Sequence, residues 1–167
     1  MKQDENDVDR LYVRSSTGRY AVATADRVVE AARAVEEQRI QRGQAFSDPT
    51  LASRYFQDML GCLEREVFAV AFLDTRHRLI ECAELFLGTI DGAEVHPREV
   101  VKHALRCNAA AVILAHNHPS GTIEPSAADR AVTARLKQAL ALVDVRLLDH
   151  VVVGGDASLS MSARGLL

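Results

Sequence analysis

Residues 109–143, "AAAVILAHNHPSGTIEPSAADRAVTARLKQALALV", contain a strand, a loop and a helix in sequence. The continuous apolar run that begins at Ala109 predicts a buried strand, and this strand ends at His116. From Ser126 onward, apolar residues recur at helical spacing: Ala128, Val132, Leu136, Ala139 and Val143. The segment therefore predicts a buried strand that leads through a polar loop into an amphipathic helix.

Four polar side chains lie where this strand gives way to the helix. Side chains alternate faces along a strand, so His116 and His118 point to the same side and Asn117 faces away. Ser126 and Asp129 are three residues apart, which places both on one face of the first helical turn. A short loop between a strand end and a helix start can bring the four side chains together.

Two histidine nitrogens and one carboxylate oxygen are a common ligand set for catalytic zinc, which keeps its fourth position open for water. No cysteine lies near this stretch, so the ligand set differs from that of a structural zinc finger. The spacing therefore predicts one Zn²⁺ per chain, held by His116, His118 and Asp129.

Simpler interpretations of the same residues exist. Ser126-x-x-Asp129 before an apolar helix is also typical of a capping box, and a histidine pair alone is typical of a solvated loop. Ser126 can cap the helix while Asp129 binds metal, because the positive start of the helix favours the charged carboxylate. The string "HNH" is not the nuclease motif of that name, whose residues are spread along the chain.

The remaining segments predict a mixed α/β fold, with a mainly antiparallel sheet and packed helices. A hairpin is predicted in residues 11–24, and helices in residues 25–42, 48–60 and 96–108. Strands are predicted in "EVFAVAFLD", "LIECAELFLGTI", "VRLLDHVVVGG" and "ASLSMS". The loop at residues 43–47 suggests a boundary between an N-terminal extension, residues 1–44, and a metal-binding domain, residues 45–167.

Composition limits the classes of function. A chain of 167 residues with 48% apolar content can bury a substantial core. The formal charge of -3 and the pI near 6.1 do not favour direct binding of nucleic acid. Three widely spaced cysteines fit reduced thiols, and neither a signal peptide nor a membrane-spanning run is apparent, so we expect a cytoplasmic protein.

The spacing His116-x-His118, seven residues, Ser126, two residues, Asp129 resembles the signature of JAMM metalloproteases, the JAB/MPN family. Residues 96–130 and the later "RLLDHVVVGG" resemble its bacterial RadC branch. The resemblance covers about residues 45–167 and implies a cytidine-deaminase-like architecture. The family has serine or threonine where this chain has Asn117, a variation typical of the RadC branch. Longer RadC proteins carry an N-terminal helix-hairpin-helix region, of which residues 1–44 show no sign.

The resemblance also implies roles for single residues. "REVFAVAF" resembles the family segment that carries a general acid/base, which assigns that role to Glu66 at the entry to a buried strand. Ser126 is expected to donate a hydrogen bond to the developing oxyanion. The residues alone leave other glutamates open as the proton shuttle: Glu64, Glu81, Glu84, Glu94 and Glu124. His150 is expected to be a core histidine or an outer partner of the site rather than a ligand.

The resemblance implies a zinc metallopeptidase, a hydrolase of peptide or isopeptide bonds with a polypeptide substrate. The alternative is a RadC-like accessory module in DNA repair or mobile-element maintenance, which binds a partner and uses the metal structurally. Nucleic acid would then be reached through that partner. A basic groove leading to the histidines would favour the DNA-linked role, whereas an extended cleft beside a strand edge would suit a peptide. A metal-dependent nuclease or deaminase is not favoured, because the additional metal-binding acids or cysteine ligands of those enzymes are not apparent in the sequence.

Overall fold

The computed structural model describes residues 11–14, 18–28, 43, 45–46, 48–88 and 94–167. The chain divides into two compact units, residues 1–42 and 43–167. In the first unit, strands β1 (Tyr12–Arg14) and β2 (Tyr20–Val22) pair antiparallel, with Tyr12 opposite Val22. Residues 25–28 are helical, and the remainder of the helix predicted up to residue 42 lies outside the described residues.

The second unit is built on a five-stranded mixed sheet with the order β4-β3-β5-β6-β7. The pair β5–β6 is parallel and the other three pairs are antiparallel. The predicted fold class is thereby confirmed. The strands are β3 (Val67–Leu73), β4 (Leu79–Leu87), β5 (Ala111–Asn117), β6 (Arg146–Gly154) and β7 (Ala157–Ser160).

Helices cover both faces of this sheet. They are α1 (Pro49–Leu60), α2 (Pro97–Arg106) and α3 (Ala127–Ala141). Phe56 and Leu60 of α1 pack with one set of strand residues, whereas α2 and α3 pack with the alternate set. Because both faces are covered, every residue of β3 and β5 is buried, which explains why these strands read as continuous apolar runs.

The face that α3 buries agrees with the predicted stripe only in part: Leu136 is buried, and Val132 and Val143 pack against the core. The buried residues are Thr133, Leu136 and Leu140, whereas Ala128 is exposed and Val132 is half-buried. The many alanines of this helix give almost the same pattern on neighbouring faces, so periodicity alone cannot fix its rotation. The first turn of α3 consequently faces a cleft and not the core.

None of the helices in the described part of the chain is both long and apolar enough to cross a membrane.

Candidate metal centre

The end of β5 and the start of α3 bring the three predicted ligands together. Nε2 of His116 lies 3.0 Å from Nε2 of His118 and 3.3 Å from Oδ1 of Asp129. Nε2 of His118 lies 3.6 Å from Oδ2 of Asp129. Within the described ranges, these residues form the one group of histidine, cysteine or acidic side chains whose ligand atoms converge, all within 4.8 Å.

These separations fit a metal ion held between the three side chains. Ligand atoms about 2.0–2.1 Å from zinc in a tetrahedral arrangement lie about 3.3 Å from one another. The distances from His116 Nε2, 3.0 Å to His118 Nε2 and 3.3 Å to Asp129 Oδ1, lie close to that value. The cluster therefore has the size and the nitrogen and oxygen donors that a divalent metal ion requires.

Hydrogen bonding sets which nitrogen His118 offers. Its Nδ1 lies 2.7 Å from the backbone carbonyl oxygen of Thr122. A carbonyl can only accept, so Nδ1 carries the hydrogen and a neutral ring leaves the Nε2 lone pair free. The backbone of the loop thus presents the correct nitrogen of His118 to the cluster.

Asp129 serves as cap and as candidate ligand at the same time. Its Oδ2 accepts hydrogen bonds from Ser126 N at 2.7 Å and from Ser126 Oγ at 2.6 Å. Ser126 Oγ in turn accepts from Asp129 N at 3.1 Å, which completes a capping box. Oδ1 remains directed at His116. The capping and ligand interpretations are therefore compatible, because each uses a different oxygen.

The environment of Asp129 favours its charged form. Burial raises the pKa of this carboxyl group. The hydrogen bond and charge of His116 and the hydrogen bonds from Ser126 outweigh that effect and hold the pKa well below its usual range. Asp129 is therefore an ionised carboxylate at neutral pH and can serve as a metal ligand.

The cluster opens into a cleft of about 950 Å³. Apolar and small side chains from the strand entry and from α3 form part of its wall, including Phe68, Val95, Ala128 and Val132. Its charged side chains are mainly acidic: Glu66, Glu94, Glu124 and Asp129, with Arg135 as the one cation among the described lining residues. The cleft can admit an extended substrate to the metal position.

Glu66 lies in this cleft, immediately before β3. Glu94 and Glu124 line the same cleft, and Glu124 lies 3.8 Å from Arg164. The other rival acids are placed elsewhere. Glu81 contacts His103 and Arg106, and the remaining two, Glu64 and Glu84, are exposed and not part of the lining. Three glutamates thus remain near the metal position.

The residues of this cluster lie in a segment that matches a known protein family. Residues 46–166 match the family described as RadC-like JAB domain. The chain belongs to the RadC family. It is 60% identical over 126 residues to a UPF0758 protein of Xanthomonas campestris and 58% identical over 131 residues to one of Nitrosococcus oceani. A UPF0758 protein of Vibrio cholerae is 57% identical over 141 residues.

These alignments differ in how much of each relative they include. They cover 75%, 78% and 84% of this chain, in the order Xanthomonas, Nitrosococcus and Vibrio. They cover 56% and 58% of the first two relatives, so this chain spans little more than half their length. The Vibrio protein is covered over 89% of its length.

In this RadC domain, Asn117 ties the strand of the histidines to the segment that carries Glu66. Its Oδ1 accepts from Val67 N at 2.8 Å. Its Nδ2 donates to the carbonyl oxygens of Leu63 at 3.2 Å and Arg65 at 3.0 Å. The sequence predicted that Asn117 faces away from the metal position, and the structure confirms this. The sequence did not predict the hydrogen bonds that Asn117 makes. Its partners lie 50 to 54 residues away.

The loop that carries His118 rests on Gly154 at the end of β6. His118 N donates to Val153 O at 2.8 Å, and Gly121 N donates to His118 O at 3.0 Å. A Cβ atom added to Gly154 would lie 2.4 Å from the Gly121 carbonyl oxygen. The loop can approach β6 this closely because residue 154 has no side chain.

His150 lies behind His116 and is fully buried. Its Nε2 is 2.8 Å from His116 Nδ1, and its Nδ1 is 2.6 Å from Thr133 Oγ1. Burial and the neighbouring charge of His116 lower the pKa of His150 well below its usual value. Its ring nitrogens contact an imidazole and a hydroxyl group, which makes His150 an outer partner of the candidate ligand His116.

We expect Asn117→Ala to lower the free energy of unfolding by about 2–3 kcal/mol, because it leaves a buried N–H and two carbonyl groups without their partner. Asn117→Asp is the matched variant: it keeps the shape and the acceptor but loses both donors, and it should destabilise as well. Denaturant unfolding of the three proteins measures the difference. Wild-type stability in both variants would contradict this role.

Gly154→Ala should displace the His118 loop and lower the affinity for zinc by about 10-fold or more. Gly155→Ala is the control, since Gly155 has φ +59° but faces open space. That variant should lose stability through its backbone conformation and keep its zinc affinity. Titration with zinc, together with thermal unfolding, separates the two effects. Equal zinc affinity in both variants would show that Gly154 does not set the position of His118.

Proposed function

We propose that this domain is a zinc-dependent hydrolase of peptide or isopeptide bonds. The observation that carries the proposal is the convergence of two imidazole nitrogens and one carboxylate in an open cleft that also contains Glu66. This ligand set leaves room for a water molecule and a substrate group, as catalytic zinc sites require. The RadC-like JAB family is compatible with metal-dependent hydrolysis.

His116, His118 and Asp129 would hold the metal ion. Zinc bound there supplies Lewis acidity, which activates water at neutral pH. The choice of zinc follows from the donors, since nitrogen from histidine and oxygen from a carboxylate suit zinc better than the all-oxygen sites of magnesium or calcium. The capping box keeps the Asp129 carboxylate in place before any metal arrives.

Glu66 acts as the general acid/base. It accepts a proton from the attacking water and returns it to the leaving amine. Its position supports this role, because it lines the cleft and no side-chain hydrogen bond ties it to another residue of the described chain. Glu94 and Glu124 are further from the strand entry in sequence and serve as the acids to compare with it.

Ser126 donates to the oxyanion that forms on the substrate carbonyl. Its hydroxyl group donates to Asp129 Oδ2 in the resting arrangement. Rotation about the Cβ–Oγ bond redirects the hydroxyl toward substrate, while the backbone N–H of Ser126 keeps its bond to Oδ2.

A polypeptide is the substrate class that the cleft favours. Four carboxylates and one arginine among its described lining residues would repel the phosphates of a nucleic acid. The open shape and partly apolar wall suit an extended chain. A link to DNA repair would then run through a partner protein.

We further propose that the domain works in the cytoplasm. Cys62, Cys82 and Cys107 are free thiols, and Cys62 is exposed. Exposed free thiols persist in a reducing compartment. Detection of the protein in a cytoplasmic fraction tests this location.

Asp129→Asn should weaken zinc binding by more than about 100-fold, which exceeds the loss caused by removing an outer hydrogen-bond partner. Asparagine keeps an oxygen for the cap, so the helix should remain. Glu124→Gln is the control, because it removes a carboxylate of the same cleft outside the cluster. Isothermal titration and circular dichroism make the comparison. Undiminished zinc affinity in Asp129→Asn would limit this residue to capping.

Glu66→Gln should retain wild-type zinc stoichiometry and lose about 10²–10⁴-fold in turnover, the usual contribution of a general acid/base. Glu64→Gln, an exposed neighbour outside the cleft, should leave turnover unchanged. Zinc-loaded proteins are assayed with peptide and isopeptide libraries, and metal content is measured by mass spectrometry. A wild-type rate in Glu66→Gln would exclude it as the shuttle. Tight zinc binding with no cleavage by the wild type would favour the accessory-module alternative.

A further inference from the structure

A chain of hydrogen bonds runs from one candidate ligand to another behind the metal position. Thr133 Oγ1 contacts the backbone carbonyl oxygen of Asp129, one turn earlier in α3. Thr133 Oγ1 also lies 2.6 Å from His150 Nδ1, and His150 Nε2 lies 2.8 Å from His116 Nδ1. Thr133, His150 and His116 are not among the described residues that line the cleft, and all three side chains are buried.

The direction of each hydrogen bond follows from the first one. The Asp129 carbonyl can only accept, so the Thr133 hydroxyl donates to it. Met161 Sδ, at 3.9 Å, is the other acceptor beside the hydroxyl group, so the hydroxyl hydrogen is directed at an acceptor in either case. Because the one hydroxyl hydrogen is used in this way, the oxygen must accept from His150 Nδ1, which therefore carries the hydrogen.

The direction then passes on to His116. His150 is fully buried and contacts no carboxylate through its ring nitrogens, so a hydrogen on Nδ1 leaves Nε2 as the acceptor of the ring. His116 Nδ1 must consequently donate to it. The remaining nitrogen of His116, Nε2, is the one that faces His118 and Asp129.

We propose that Thr133 and His150 are positioning residues that hold His116 in the tautomer whose Nε2 is available to the metal. The inference rests on the proposed zinc site and extends it to two residues that touch neither the metal position nor the substrate cleft. Partners that fix the tautomer of a ligating histidine are commonly carboxylates or carbonyls. Here the partner is a neutral imidazole, itself oriented by a hydroxyl.

The surroundings keep this arrangement rigid. The ring of Phe68 packs beside both imidazoles, with ring centres 6.2 Å from His116 and 5.5 Å from His150. The backbone of β6 also fixes His150, whose N–H donates to Asp149 Oδ1 at 2.7 Å. A valine at position 133 would put a methyl group in place of the hydroxyl group, so His150 Nδ1 would lose its partner and His150 would be free to adopt its other tautomer.

With both histidines set in this way, the cluster holds three acceptors that face one another. His118 Nε2 is an acceptor because of Thr122, His116 Nε2 because of Thr133 and His150, and the Asp129 carboxylate accepts from Ser126. A metal ion placed among these acceptors would relieve their mutual repulsion. The relay thus leaves a lone pair of His116 directed at the position where a metal ion would lie.

Thr133→Val tests the relay because valine keeps the shape of threonine and removes the hydroxyl group. We expect zinc affinity, measured by competition with a chelator, to fall about 10–100-fold. Thr133→Ser restores the hydroxyl group and should bind zinc within a few-fold of the wild type. Unchanged zinc affinity in Thr133→Val, with the fold intact by circular dichroism, would overturn the proposal.

A second measurement reads the tautomer directly and needs neither zinc nor substrate. Nitrogen-15 NMR of imidazole-labelled, zinc-free protein at alkaline pH should show His116 with its hydrogen on Nδ1 in the wild type and in Thr133→Ser. Thr133→Val should show the Nε2–H form or a mixture of both. A merely structural role for Thr133 would change stability and leave the tautomer unaltered, and that result would also overturn the proposal.

The two measurements separate this inference from the proposed function. If the wild type binds no zinc, the proposed function fails, while the tautomer measurement still decides the relay. If the wild type binds zinc and both Thr133 variants match it in affinity and tautomer, the relay fails and the zinc site stands. Should Thr133→Val not fold, His150→Gln and His150→Leu replace it. Glutamine can accept from His116 and should retain the Nδ1–H tautomer, whereas equal behaviour of both variants would count against the relay.

Discussion

A fully buried strand can end in polar side chains only when each of their nitrogen and oxygen atoms has a partner, and this constraint organises the domain. All seven residues of β5 are buried, yet its last two are His116 and Asn117, at 1% and 2% exposure. An unpaired buried polar group costs about 1–3 kcal/mol. Among the described residues, no buried side-chain nitrogen or oxygen lacks a partner. The surroundings of β5 are therefore arranged around these two residues.

Because neighbouring side chains of a strand point to opposite faces, His116 and Asn117 find their hydrogen-bond partners on opposite sides of the sheet. Asn117 satisfies its amide with the backbone just before β3, the segment that contains Glu66. His116 satisfies its Nδ1 through His150 and α3. One strand end thus fixes the segment that contains Glu66, through Asn117, and a proposed metal ligand, His116 itself. A shift of β5 by one residue would exchange the two faces and destroy both.

The sequence predicted those features that depend on local pattern. Continuous apolar runs identified β3 and β5, and the His-x-His and Ser-x-x-Asp spacings identified the cluster. The features it did not predict depend on the pairing of distant segments. His150 meets His116 because β6 lies parallel to β5 with Val152 opposite His116. Periodicity gives neither that register nor the rotation of α3 that brings Thr133 to His150.

The capping box shows why two interpretations of one motif need not compete. The Asp129 carboxylate has two oxygens, and at the start of α3 the helix uses Oδ2 while Oδ1 faces His116. The Ser126 hydrogen bonds and the positive helix start both favour the charged carboxylate, which is also the form that binds metal. The backbone carbonyl group of Asp129 begins the hydrogen-bond chain that ends at His116. The first turn of α3 therefore supplies one ligand directly and orients a second from behind, so the helix start is as much part of the site as the histidines.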